Sequence, residues 1–104
     1  MTSKATFQSI WEYEVQEDYQ GDFIRAYGSN GLWVKLFSKC HGFIKTDLIQ
    51  DVDHPNRFVT IDFWQSSSAF SAMKKVIGRQ YEELDSNCEA YTVSENHIGF
   101  FSGK

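Results

Sequence analysis

The sequence has 104 residues, of which 41% are apolar, 16% aromatic and 23% charged, enough for one compact domain with its own core and no disulfide or structural metal. Ten Lys and Arg against fourteen Asp and Glu leave a net charge of −4, scattered rather than blocked, which speaks against a nucleic-acid binder tracking phosphates. No stretch approaches the ~20 apolar residues of a membrane-spanning helix, and Met1-Thr2-Ser3-Lys4-Ala5-Thr6 carries no apolar leader, so the chain reads as cytoplasmic with no membrane partner. Cys40 and Cys88 stand in no CxxC or Cys/His ligand spacing and read as two reduced thiols.

From Phe7 to Val15 a period of two sets Phe7, Ser9, Trp11, Tyr13 and Val15 on one face and Gln8, Ile10, Glu12 and Glu14 on the other, which predicts the first strand. Asp18 is the expected cap of a helix in which Phe23, Ala26 and Tyr27 recur until Gly28-Ser29-Asn30-Gly31 interrupts it. Leu32, Trp33, Leu36 and Phe37 mark a second, short helical piece that stops at His41-Gly42. Phe43 to Gln50 and Arg57 to Trp64 are β-rich runs joined by Asp51-Val52-Asp53-His54-Pro55-Asn56, a loop dense in turn formers that predicts an antiparallel hairpin. Ser66 or Ser67 then caps a long helix whose Ala69, Phe70, Met73, Val76, Ile77, Tyr81 and Leu84 form one apolar stripe. The last strand falls within Glu89 to Phe101, with an irregular start where Ser94-Glu95-Asn96 and Gly99 break the pattern.

The order β, α, α, β, β, α, β predicts an α+β fold: a ferredoxin-like four-stranded antiparallel sheet with its helices on one face. On the third strand, Val59, Ile61 and Phe63 form the more aliphatic face and are expected under the long helix, leaving Phe58, Thr60, Asp62 and Trp64 on the opposite side. On the second, Ile44, Thr46 and Leu48 alternate with Phe43, Lys45, Asp47 and Ile49, and both sets carry large apolar groups. One sheet face is therefore too apolar for water, and a second copy of the sheet in a homodimer is the simplest cover.

Several of these segments together resemble the antibiotic biosynthesis monooxygenase (ABM) family. They are Trp11-Glu12-Tyr13, Gly31-Leu32-Trp33 with Leu36-Phe37, and Gly42-Phe43 with Thr46 and Leu48, followed by Thr60-Ile61-Asp62-Phe63-Trp64-Gln65-Ser66 and Ala69-Phe70. Tyr81, Leu84-Asp85, Glu95 and Ile98-Gly99 complete the pattern. The order and spacing are similar to one branch of small single-domain members and extend from about Phe7 to Phe101. The resemblance implies a dimeric α+β barrel made by two sheets packed face to face, with a cavity between sheet and helices in each subunit. It also implies oxygen insertion into a small aromatic or quinol-type molecule without flavin, haem or metal. The same scaffold hosts haem degraders, muconolactone-type isomerases and stress proteins, so a non-catalytic small-ligand-binding protein and an isomerase stand as alternatives.

Cofactor-free oxygenation needs an aromatic pocket and a group that accepts the substrate's proton. Asp62 and Trp64, two apart on one strand, face the same side: Trp64 can stack on a ring or donate its indole N–H, and Asp62 can take a proton or orient a base. Packing for Trp64 and a structural hydrogen bond for Asp62 are the alternatives. Trp11, Trp33, Phe37, Phe58 and Tyr81 are the candidate walls of the substrate site, or simply core. Tyr81 is also placed to meet Asp85 one helical turn on. Among the histidines, His41 is a candidate base, His97 can pair with Glu95, and His54 lies in a turn. No His/Cys spacing suits a metal, no GxGxxG suits a nucleotide, and the helical segment from Ser66 to Asp85 lacks the axial histidine that haem-degrading relatives carry there. The expectation is therefore no cofactor and no metal.

Overall fold

The computed structural model describes residues 6–104; the start of the chain from Met1 to Ala5 lies outside the described residues. Strand β1 (Phe7–Val15) passes through a 3-10 turn at Glu17–Tyr19 into helix α1 (Gln20–Tyr27), followed by the short helix α2 (Leu32–Phe37). The hairpin of β2 (Phe43–Gln50) and β3 (Arg57–Trp64) leads into the long helix α3 (Ser67–Cys88), a second 3-10 turn at Glu89–Tyr91, and β4 (Thr92–Ser102). The strands form one sheet in the order β2-β3-β1-β4, every neighbouring pair antiparallel, which is the expected α+β ferredoxin-like arrangement.

Local chemistry explains the boundaries. The Ser66 side chain accepts a hydrogen bond from the Ala69 N–H at 3.1 Å, satisfying one free donor at the start of α3. The expected cap at Asp18 is not formed: Asp18 lies inside the first 3-10 turn, Tyr19 precedes α1, and no side chain caps that helix. At Gly42 the chain takes a φ of +90°, and its carbonyl accepts from the Gln65 N–H at 2.8 Å. A Cβ here would lie 2.5 Å from Cβ of Ala69, so the start of β2 reaches the first turn of α3 only because residue 42 is glycine. The α3 backbone departs from helical geometry at Ile77 (φ −122°, ψ 18°), beside Gly78. Met73, Ile77 and Cys88 are buried on its inner stripe, whereas Val76, expected there, sits at the stripe's edge and is 60% exposed.

The core is built from two groups of rings on the helix side of the sheet. Phe23 stacks on Tyr27 at 4.2 Å and meets Tyr13 and Phe58, each at 5.2 Å. At the other end Trp64, wholly buried, meets Phe37, Phe43 and Phe70 edge to face at 5.4, 5.1 and 5.8 Å. Such pairs add about 0.5–1.5 kcal/mol each beyond their buried area.

The sheet faces opposite to the expectation. Phe58, Thr60, Asp62 and Trp64 point toward the helices, in register with Tyr13, Trp11, Ser9 and Phe7 of β1, and Phe58, Thr60 and Trp64 are buried there. Val59, Ile61 and Phe63 occupy the outer face and are only partly buried. The aliphatic alternation misled because the helix side is not uniformly packed: its two polar mid-strand residues border a cavity. The alternation expected in β2 is also displaced. A bulge between Phe43 and Lys45 lets Phe43 oppose Trp64 while Thr46 opposes Asp62, so Phe43, Thr46 and Leu48 share the helix side. Ile10, Ile49, Val59, Ile61, Phe63 and Phe101 make the outer face apolar; Ile49 and Phe101 are 52% and 44% exposed.

Candidate functional site

Between the two ring groups, where β3 carries Thr60 and Asp62 instead of large side chains, a partly open cavity of about 100 Å³ separates the sheet from the helices. Ligand pockets for drug-sized molecules are typically about 300–1,000 Å³, so this cavity is small and, being partly open, has room for at most about one aromatic ring whose substituents reach the mouth. Trp11 and Tyr13 line it from β1, Tyr27 from α1, Trp33 and Phe37 from α2, and Tyr81 and Asp85 from α3. The remaining lining comes from Thr46, Thr60 and Asp62 in the middle of the sheet and Glu95 on β4.

Asp62 is the chemical centre. Its Oδ1 accepts from the Thr46 Oγ1 hydroxyl at 2.6 Å, across the β2–β3 register. Burial pushes its carboxyl from the ordinary 3.8 up to about 6, against the opposing pull of the Thr46 hydrogen bond. The group therefore holds its proton until near neutrality and then becomes a base in an apolar enclosure. On the other side of Asp62 the register places Ser9, whose Oγ lies 3.1 Å from Nε2 of His97.

The tyrosines cannot fill the same role. Burial drives the hydroxyls of Tyr13 and Tyr27 far above the usual phenol range. That of Tyr81 is pushed up to about 12 by burial and by the charges of Asp85, Asp62 and Glu95. All three stay protonated; the hydroxyl of Tyr13 meets Thr60 and that of Tyr27 meets Trp33 and Cys88, which leaves Tyr81 to donate to a bound molecule. Trp33 is 6% exposed, and its buried Nε1 approaches the Tyr27 hydroxyl and the Cys88 thiol without a well-formed hydrogen bond. Glu95 is exposed and Asp85 half-buried, which sets these two carboxylates toward the mouth and Asp62 toward the floor. Burial, then the charges of Asp85 and Glu89, raise the Glu95 carboxyl above its ordinary value.

Of the candidate residues, Asp62, Trp11, Trp33, Phe37 and Tyr81 come together at this cavity. Trp64 and Phe58 do not line it: they sit in the ring groups at either end, and Nε1 of Trp64 is also unpartnered. His41 is exposed and borders a separate groove with Cys40, Ser66 and Met73. His97 does not pair with Glu95; its ring lies between Trp11 at 4.7 Å and Phe100 at 4.6 Å. His54 is exposed in the hairpin loop, 3.7 Å from Asp51. Tyr81 and Asp85 both face the cavity without a hydrogen bond between them among the described residues. Tyr13, Tyr27, Thr46, Thr60, Asp85 and Glu95 join the site unforeseen as lining groups, although Tyr13 shares the strand parity of Trp11. Cys40 and Cys88 are buried free thiols.

Among the described residues, no three His, Cys, Asp or Glu side chains gather closely enough to hold a metal ion, and no helix is long and apolar enough to cross a membrane. The ABM family model, described as antibiotic biosynthesis monooxygenase, matches residues 7–75. No curated protein matches the chain. Among solved structures, a candidate antibiotic biosynthesis monooxygenase of Nitrosomonas europaea is 16% identical, covers 99% of this chain and 93% of its own, and superposes with a TM-score of 0.72. SnoaB, a cofactor-independent oxygenase of Streptomyces nogalater, is 17% identical with a TM-score of 0.68, covering 98% of this chain and 95% of its own. A conserved protein of Methanosarcina mazei is 12% identical with a TM-score of 0.72, covering 97% of this chain and 95% of its own. These structures share the fold.

Proposed function

The chain belongs to the antibiotic biosynthesis monooxygenase family, and we propose that it is a cofactor-independent monooxygenase acting on a small phenol- or quinol-type molecule, with Asp62 as the general base. The observation that carries this reading is the placement of Asp62: one carboxylate on the floor of an aromatic cavity, held by Thr46 and buried enough to be basic near neutral pH.

The chemistry needs little more from the protein. Asp62 takes a proton from an activated ring carbon or from a hydroxyl conjugated to it. The resulting carbanion gives its electrons to dioxygen and forms a carbon–oxygen bond. The peroxide then accepts the proton back, and its O–O bond breaks. For a ring CH2 the balance is CH2 plus O2 to C=O plus H2O, so the substrate is itself the reductant. Trp11, Trp33, Phe37 and Tyr81 supply flat faces that hold the ring and exclude water from the carbanion. The Tyr81 hydroxyl, which stays protonated, can donate to the oxygen that gains charge.

The reading includes a homodimer, in which the apolar outer face of the sheet is covered by that of a second copy. Two buried free thiols suit a reducing, cytoplasmic setting. The decisive experiment is oxygen uptake with product mass analysis, using metal-stripped protein and a panel of hydroquinones and substituted one-ring phenols against a no-protein control. Protein-dependent uptake giving a product that has gained oxygen, lost in Asp62→Asn, is expected. No uptake across the panel overturns the oxygenase reading in favour of ligand binding or isomerisation.

A further inference from the structure

We infer that the cavity selects a cationic aromatic: a phenol or quinol carrying a protonated amine, its ring hydroxyl at Asp62 and its ammonium against Asp85 and Glu95. The subsequent oxygenation rests on the function proposed above; the charge preference in binding does not.

The lining contains three carboxylates, Asp62, Asp85 and Glu95, and no Lys, Arg or His. Among the described residues none of the three takes part in an ion pair, whereas Glu12, Asp22, Asp47, Asp51 and Glu83 each do. Negative charge is thus gathered around an aromatic enclosure and left without a protein counter-ion. The carboxylates do not converge as a metal site would require, so the missing positive charge belongs to something larger than an ion. The groups lie at different depths, with Asp62 on the floor and Glu95 exposed.

The walls agree with a cation. Rings of Trp, Tyr and Phe attract ammonium groups through their negative faces, and Nζ of Lys74 already lies 5.3 Å from the Tyr81 ring centroid. An anionic ligand would be repelled by the three carboxylates. A neutral phenol would develop negative charge beside Asp85 and Glu95 on losing its proton, whereas an attached ammonium offsets that charge.

The test compares tyramine, 4-ethylphenol and 4-hydroxyphenylacetate, which share the phenol ring and a two-carbon substituent but carry positive, zero and negative charge near neutral pH. Binding to the intact protein is read by tryptophan fluorescence and by amide NMR shifts. Tyramine is expected to bind about tenfold more tightly than 4-ethylphenol at low salt, with 4-hydroxyphenylacetate the weakest. The advantage should shrink at about 1 M salt and vanish in the Asp85→Asn, Glu95→Gln double variant, while 4-ethylphenol affinity is retained. The single variants serve if the double variant melts early. Equal affinities, a preference that survives the double variant, or no binding by any probe overturns the inference. Tyramine preference without oxygen uptake on the aromatic panel removes the oxygenase reading and leaves this one standing; uptake of neutral quinols with no charge preference does the reverse.

Discussion

Replacing Asp62 by Asn should make the protein more stable near pH 8 while abolishing turnover. Asn keeps an oxygen that can accept from Thr46 at the position of the 2.6 Å bond and removes only the charge. In the wild type the folded carboxyl titrates at about 6 rather than 3.8. Between those values the folded protein retains a proton that the unfolded chain has released, so stability falls as pH rises through the window and is level above it. Below 3.8 both states are protonated and the effect vanishes. The difference of 2.2 pH units, from 6 − 3.8, at 1.36 kcal/mol per unit corresponds to at most about 3 kcal/mol. About 1.4 kcal/mol of that should develop between about pH 5 and pH 8.

Urea unfolding of the two proteins at matched concentration across that range isolates the effect, because every other titrating group cancels in the difference. The Asp62→Asn variant should gain on wild type as the pH is raised. A difference independent of pH, or one that shrinks toward pH 8, refutes the assignment of Asp62 as a buried, strained base. Stabilisation combined with lost oxygen uptake would identify the charge as a cost retained for chemistry.

Wild-type kcat/KM should rise tenfold per pH unit and level off above about pH 6, where Asp62 is ionised. Thr46→Val removes the bond that lowers the Asp62 pKa; the limb should move to higher pH, with a stability loss of about 1–2 kcal/mol measured by denaturant titration. Gly42→Ala imposes a side chain at φ +90° against Ala69 and should cost about 2 kcal/mol or more, read as a lowered melting temperature. Ile61→Asp places a charge in the middle of the outer sheet face. Light scattering should then report a dimer for the wild type and a monomer for the variant, and an unchanged mass for the variant would contradict the face-to-face pairing.

The elements were legible because their periods are clean. Phe7, Trp11, Tyr13 and Val15 on one parity of the run from Phe7 to Val15, and Met73, Ile77, Tyr81 and Leu84 at helical spacing, follow directly from which side chains must leave water. The hairpin was equally plain from its loop, where Asp51 accepts from the N–H groups of Asp53 and His54. What periodicity could not supply was register. Bulges between Phe43 and Lys45 and between Ile10 and Trp11 each displace the partner by a residue, and with it the faces on which Thr46 and Glu95 arrive. His41 was misplaced for a related reason: the turn at Gly42 separates it from the strand whose residues reach the cavity.

The inverted sheet face and the candidate site have one cause. A strand reading Phe58-Val59-Thr60-Ile61-Asp62-Phe63-Trp64 presents its more uniformly apolar alternation outward, where a second sheet can cover it, and its mixed alternation inward. Packing rules alone favour the reverse, because an inward carboxylate loses hydration and an inward threonine fills less volume. The fold nevertheless brings Thr60 and Asp62 under the helices, between Phe58 and Trp64, and the space they leave is the cavity. Local rules are expected to fail where a protein keeps something other than stability. Here the failure lies at Asp62, the residue whose removal should raise stability and end the reaction.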